Sequence, residues 1–232
     1  PAAHVLAVPV PAAPGGAPSW LVGASPELLL RRRGREVVSV PLAGSQPRSA
    51  DPAVDAARAR RLVASDKDRR EHGFVVDAIV GALRPLCTDV RALPPELLAT
   101  PTVWHLATRI TGRLRDGATT SAELVAALHP TPAVAGTPRP AATALIAELE
   151  GFDRGCYAGA IGWQDTAGDG EWSVGVRCAE LSGNRLRLFA GAGVVAGSDP
   201  EAELAETRAK LRTVAGALGI ALEVDGATRA VG

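Results

Sequence analysis

A single α+β domain is the fold class this sequence predicts. Short apolar stretches separated by turn residues fill residues 1–40 and 157–195, as in hairpins and meanders. Apolar residues at helical spacing occupy the segments that follow Ser65 and Asp199. No internal repeat marks a solenoid or propeller. With 232 residues, 47% of them hydrophobic, the chain is long enough to bury a sizeable core.

Along residues 1–40, His4–Val10, Trp20–Val22, Leu28–Leu30 and Val37–Val40 read as strands joined by the turn-rich PAAPGGAPS and RRRGRE. Pro47–Val54 reads as a loop. Ser65 is a helix N-cap, with Asp66 and Asp68 in the first turn and an inward stripe of Val75, Ile79 and Leu83. Glu71, four residues before Val75, falls on that stripe. After Pro94–Pro95, PTVWHLATRITGRL reads as a strand, Thr119–Leu128 as a helix, His129–Pro140 as a proline-punctuated loop and Ala141–Leu149 as a helix. Residues 157–195 read as a meander of YAGAIGW, WSVGVRCAEL and RLRLFAGAGVV. Ser198-Asp199-Pro200-Glu201 starts a last helix that runs to about Leu218.

Composition excludes several classes of function. Net charge is zero and the pI is about 7.4, so no broad basic surface exists for nucleic acid or anionic lipid, and a bound anion must be held locally. Cys87, Cys156 and Cys178 lack the spacing of a disulfide framework or a zinc site, which fits a reducing cytoplasm. No apolar run is long enough to span a membrane, and the start lacks the basic region of a signal peptide. The sequence contains no methionine and begins at Pro1, so a fragment or processed chain without its N-terminal portion is expected. Only Lys67 and Lys210 are lysines.

Several side chains invite chemistry. Glu71 on an apolar helix face requires a partner, either an ion pair with Arg70 or another arginine, or a metal. Glu203, Glu206, Thr207 and Lys210 form one polar stripe of the last helix; Glu206 and Lys210 suit a surface ion pair, whereas glutamates from two helices suit Mg2+. Gly191-Ala192-Gly193 leaves room for an anion at the backbone or marks a bulge. Arg177 either clasps a carboxylate or sits on an exposed strand face. His105 is either structural or catalytic. Glu27, between Pro26 and a leucine run, is placed for partial desolvation, which raises a carboxyl pKa and suits proton donation.

GASPELLLRR, PLAGSQPR, ASDKDRREH, TPTVWHLAT, LHPTPAVAG, AELEGFDRGCYAGAIGW, GEWSVGVRCAEL, RLFAGAGVV and ELAETRAK occur in that order over residues 20–218. Together they resemble isochorismate synthase, within the chorismate-utilising enzymes that include anthranilate, aminodeoxychorismate and salicylate synthases. Ala133 and Val134 stand where the amine-adding relatives carry a threonine, so the resemblance favours water as nucleophile and implies no glutamine amidotransferase subunit.

The resemblance implies the chorismate-binding fold, antiparallel sheets with helices packed outside, and makes residues 1–232 the C-terminal portion of one catalytic domain. It implies that Glu27 is the general acid toward the C4 hydroxyl of chorismate and that Glu71, Glu203 and Glu206 surround Mg2+. Arg177, Gly191, Ala192, Gly193 and Lys210 match positions that hold substrate carboxylates. Gly44, Ser45, Ala133 and His105 match pocket positions, His105 as a second catalytic candidate. A monomer in the cytoplasm is implied, with no nucleic-acid or membrane partner. The family's base, a lysine upstream of SPEL, has no counterpart among the 26 residues before Glu27, so weak or absent turnover and exposed sheet edges are expected of this length of chain. Salicylate synthase and a non-catalytic chorismate-binding fragment are the competing readings.

Overall fold

A computed structural model describes residues 3–11 and 18–220, so the interior of the PAAPGGAPS turn lies outside the described residues. Its strands form three sheets, all of whose pairings are antiparallel. The first sheet orders β1 (His4–Val10), β2 (Ser19–Ser25), β12 (Cys178–Ser182) and β13 (Arg185–Leu188). The second orders β10 (Ala160–Gln164), β11 (Gly170–Val174), β3 (Leu28–Arg33), β4 (Glu36–Val40), β9 (Ile110–Leu114) and β6 (Cys87–Ala92). The third orders β5 (Leu42–Pro47), β8 (Val103–Ala107) and β7 (Glu96–Ala99).

Local chemistry sets the helix starts. Asp51 caps α1 (Pro52–Ala64), its carboxylate accepting from the amides of Ala53 and Val54 at 2.8 and 3.2 Å, with proline in the first turn. Ser65 then ends one helix and begins another. Its amide donates to the Leu62 carbonyl, and its hydroxyl accepts from the Asp68 amide at the head of α2 (Asp66–Leu83). A Thr120–Glu123 capping box opens α3 (Ser121–Leu128), and Asp199 caps α6 (Pro200–Ala217) by accepting from the Ala202 amide. Two further helices, α4 (Pro132–Ala135) and α5 (Arg139–Glu150), lie between α3 and β10.

The core is the contact of α2 and α3 with the six-stranded sheet. Val75, Ile79 and Leu83 of α2 and Leu124 and Leu128 of α3 pack with Leu29, Leu30, Val37, Ile110, Leu114 and Val174. The same α2 also lies against β5, which α6 approaches as well, so both helices meet the third sheet.

The sheets are joined by ribbons that bend. β4 pairs with β9 in the second sheet; both chains break, at Pro41 and at Thr108–Arg109, and resume as the β5–β8 pair of the third. Likewise β3 pairs with β11, both break at Pro26–Glu27 and Gly175–Arg177, and the chains reappear in the first sheet as the β2–β12 pair. Several sequence expectations are therefore corrected. WSVGVRCAEL is two strands in different sheets rather than one, because the Arg177 backbone takes a left-handed φ of 55° that no continuous strand allows. PTVWHLATRITGRL divides in the same manner. Pro47–Val54 already contains the start of α1, His129–Pro140 contains α4 and the first residues of α5, and RLRLFAGAGVV leaves its sheet after Leu188.

The second bend demands a glycine. A Cβ on Gly23 would stand 2.6 Å from the Arg177 carbonyl oxygen and 2.7 Å from the Cys178 Cα, both backbone atoms that cannot move independently. We expect Gly23→Ala to destabilise the chain by about 2–3 kcal/mol in urea unfolding, whereas Gly81→Ala, in an open position of α2, should stabilise it by about 0.5–1 kcal/mol. Equal effects would mean that the strand approach is not a constraint.

Candidate active site

Glu27 occupies the bend between β2 and β3, 5% exposed. Its carbonyl accepts from the Val174 amide at 3.2 Å across the ribbon, and its carboxyl is hydrogen-bonded by the Leu42 amide at the opposite bend. Removal from water dominates its chemistry and lifts the pKa from 4.5 to about 7, against the lowering effect of the Leu42 amide and the charges of Arg177 and Lys210. The partial desolvation expected from sequence is thus nearly complete.

Arg177 lies at the facing bend. It is buried, which corrects the exposed-face alternative, and burial lowers its pKa although Glu206, Tyr157 and Glu27 act in the other direction. Its Nη2 lies 3.0 Å from His105 Nε2, and His105 Nδ1 lies 2.9 Å from Ser45 Oγ. Guanidinium nitrogens only donate, so Nε2 accepts and the imidazole proton resides on Nδ1, facing Ser45. Burial, followed by the charges of Arg177 and Lys210, holds the His105 pKa well below 6.5. His105 is therefore a neutral acceptor for Arg177, while Arg177 Nε is buried without a hydrogen-bond partner among the described residues.

The third sheet supplies the floor. Ser45 and His105 are directly paired across β5 and β8, and the register shifts between Ala43 and Ser45. Gly44 sits in this irregularity at φ 73°; a Cβ there would meet Asp68 of α2 at 3.0 Å. Behind it, buried His72 places Nε2 2.7 Å from Thr108 Oγ1, at the other bend.

Carboxylates and ammonium groups of α2 and α6 face one another. Lys67 Nζ lies 2.7 Å from Glu203 Oε1, 3.2 Å from Glu71 Oε2 and 3.5 Å from Asp68 Oδ1. Burial raises the Glu71 pKa and the Glu206 charge adds to the rise, while Lys67 opposes it. Lys210 Nζ is 2.5 Å from Glu206 Oε1 and donates to the Gly191 carbonyl at 2.9 Å. The Glu206–Lys210 pair is largely buried, with side-chain exposures of 8% and 12%, so it is not a surface pair. Nor does Arg70 bridge to Glu71: it donates to the Ala196 carbonyl.

Past β13 the chain crosses above these groups. Phe189 stacks on Tyr157 at 4.9 Å, a Cβ on Gly191 would stand 3.5 Å from the Tyr157 hydroxyl, and a Cβ on Gly193 would stand 2.2 Å from Glu71 Oε1. Only glycine allows that carboxylate to sit against the backbone. Ala133, in α4, packs partly buried at the edge of the main core, beside Val134.

Glu27, Arg177, His105, Ser45, Gly44, Lys210, Glu206, Glu71 and Glu203 are thus linked through direct contacts or mutual charge effects. Sequence reading did not single out Lys67, Asp68 and His72 as site residues. The i, i+4 spacing of Lys67 and Glu71 was a legible signal, but the reach of Lys67 to α6 was not.

The chain belongs to the chorismate-binding enzymes, whose family model matches residues 14–219. Isochorismate synthases are among the proteins it resembles. It is 56% identical over 201 residues to DhbC of Bacillus subtilis, covering 86% of this chain and 50% of that protein. It is 47% identical over 212 residues to EntC of Escherichia coli, covering 91% of this chain and 53% of the relative. The solved structure of DhbC from Bacillus anthracis, assigned as a 2,3-dihydroxybenzoate-specific isochorismate synthase, superposes with a TM-score of 0.92 at 50% identity, over 94% of this chain and 59% of the other. The chain spans about half the length of the curated relatives it matches.

Long-range proton–nitrogen NMR of the imidazoles reads the His105 tautomer directly. His105 should show a protonated Nδ1 and a bare Nε2 from pH 6.5 to 8. A ring that gains a second proton in that range would end its assignment as a neutral acceptor.

Proposed function

We propose that this chain carries the acid and metal side of an isochorismate synthase, which converts chorismate to isochorismate with Mg2+. The observation that supports this most directly is a buried carboxyl with a pKa of about 7 within the charge field of an arginine and a lysine. A carboxyl of that pKa is still substantially protonated at neutral pH and can donate.

Arg177, through its free Nε, and Lys210 are placed to hold substrate carboxylates, together with the backbone of Gly191, Ala192 and Gly193. Glu27 gives its proton to the departing C4 hydroxyl, which leaves as water. A second water adds its oxygen at C2 and loses a proton to a base, the ring double bonds shift, and atoms and charge balance in an isomerisation. Lys67 is unsuited as that base, since its acidic neighbours hold it firmly as an ammonium group despite partial burial. By the family resemblance, the base is a lysine in the portion of the relatives that this chain does not span.

The residues fit Mg2+. Glu71, Glu203 and Glu206 offer hard carboxylate oxygens from two helices, Gly193 leaves Glu71 the necessary space, and a cation would relieve the repulsion that helps to raise the Glu71 pKa. Among the described residues, no three His, Cys, Asp or Glu side chains converge on one point for a metal, and Lys67 and Lys210 pair with these carboxylates. When bound, Mg2+ would neutralise a ring carboxylate and orient the substrate. Among the described residues, no helix is long and apolar enough to cross a membrane.

Incubating the full protein with chorismate and Mg2+ should yield isochorismate by chromatography; pyruvate and salicylate among the products would select a salicylate synthase. Glu27→Gln should lower turnover by roughly 10²-fold or more while retaining Mg2+-dependent chorismate binding. In the unaltered protein, kcat should fall as pH rises through about 7, when Glu27 loses its proton. The stability consequence has the same sign. With a folded pKa above the unfolded 4.5, Glu27 contributes stability that is fully present below pH 4.5 and lost as pH rises through 7, so Glu27→Gln should raise the Tm at pH 8 and change it little at pH 4. Glu206→Ala should weaken Mg2+ and chorismate binding together in calorimetry; unchanged Mg2+ affinity would leave Glu206 as only the partner of Lys210.

A further inference from the structure

Lys67 stands between the two helices that carry the metal carboxylates. It arises from the first turn of α2, reaches Glu71 one turn along the same helix, and makes its shortest ion pair, 2.7 Å, with Glu203 of α6. The ammonium group also lies 3.5 Å from Asp68 Oδ1, so three carboxylates surround it. Its own side chain is 22% exposed, against 14% for Glu71 and 12% for Glu203, so Lys67 is the most exposed of the three. An arginine would present a broader planar fork; lysine, one of two in a chain with 23 arginines, presents a compact charge closer in kind to a metal ion.

We propose that the Lys67 ammonium is an internal stand-in for the divalent cation: it ties Glu71 to Glu203 while the metal is away and must swing out for Mg2+ to enter. This rests on the Mg2+ reading given above. The physical grounds are charge and size. Without a cation, Glu71, Glu203 and Glu206 would repel one another in a partly dry site, and the contact between α2 and α6 would loosen. Mg2+ takes oxygen ligands at about 2.0–2.1 Å, whereas Lys67 holds its two carboxylates at 2.7 and 3.2 Å. The carboxylates must therefore draw in by roughly 1 Å when the ion replaces the ammonium group, and both cations cannot occupy the space between them. Lys67 thereby sets a threshold on metal affinity and keeps the site assembled below it.

Two measurements on the full protein test the idea, neither of them an activity assay. First, Mg2+ alone is titrated calorimetrically into the unaltered protein and into Lys67→Met, which keeps the length of the side chain and removes the charge. The variant should bind Mg2+ about tenfold more tightly, have a lower Tm in chelator, and gain more in Tm than the unaltered protein on adding Mg2+. Second, for the case in which the variant does not fold, amine acetylation of the unaltered protein is followed by mass spectrometry. The rate at Lys67 should rise at least about fivefold on adding Mg2+. If the unaltered protein does not bind Mg2+, the metal reading falls and the displacement with it. If it binds, but Lys67→Met has equal or weaker affinity, or Lys67 labelling is unaffected by Mg2+, displacement alone is overturned and Lys67 is a fixed structural cross-link.

Discussion

Two paired strands cannot leave a sheet at different levels without stranding their backbone hydrogen-bonding groups, and this constraint governs the molecule. Both ribbons that join the sheets therefore break on both chains at once, at Pro26–Glu27 with Gly175–Arg177 and at Pro41 with Thr108–Arg109. The backbone groups released at these bends find one another: Val174 donates to Glu27, Ala24 to Arg177 and Thr108 to Pro41. Glu27 and Arg177 are buried and face each other because they occupy the two chains of one bend. The acid's shifted pKa is thus a consequence of topology as much as of its neighbours.

The two halves of the site solve opposite electrostatic problems. Around Glu27 the dry surroundings favour the neutral carboxyl, leaving the Arg177 charge less engaged by it and better able to attract an anion. Between α2 and α6 the acidic side chains are instead paired with the ammonium groups of Lys67 and Lys210. His105 serves the first half. As a neutral acceptor with Ser45 behind it, it fixes the guanidinium without adding a positive charge beside the acid.

Much of the helical framework was legible in sequence because caps and apolar stripes are local. Ser65, Asp199–Pro200 and the Val75, Ile79, Leu83 stripe lie as read, and Glu27 was singled out for desolvation from its apolar flanks alone. The start of α1 carries the same Asp-Pro signal as α6, although Pro47–Val54 as a whole reads as loop. The strand breaks were hidden for a physical reason: alternation of side chains continues across Gly175–Arg177 and Thr108–Arg109, and nothing local reports that the strands on either side pair with different sheets. Lys67 was hidden likewise, since its decisive partner, Glu203, is 136 positions away. The family motifs gathered the site residues into one set, whereas the residues alone left each with a competing structural role.

Ser65 has a further consequence, one of phase. Because it closes α1 and opens α2 with no spacer, the rotation of α2 about its own axis is locked to the end of the preceding helix. Each residue of a helix advances the facing direction by about 100°. Inserting or deleting a single residue at this joint would turn Val75, Ile79 and Leu83 away from the sheet, or else carry Glu71 and Lys67 away from α6. The joint between two ordinary helices is therefore a clocking point, where length is far less negotiable than sequence.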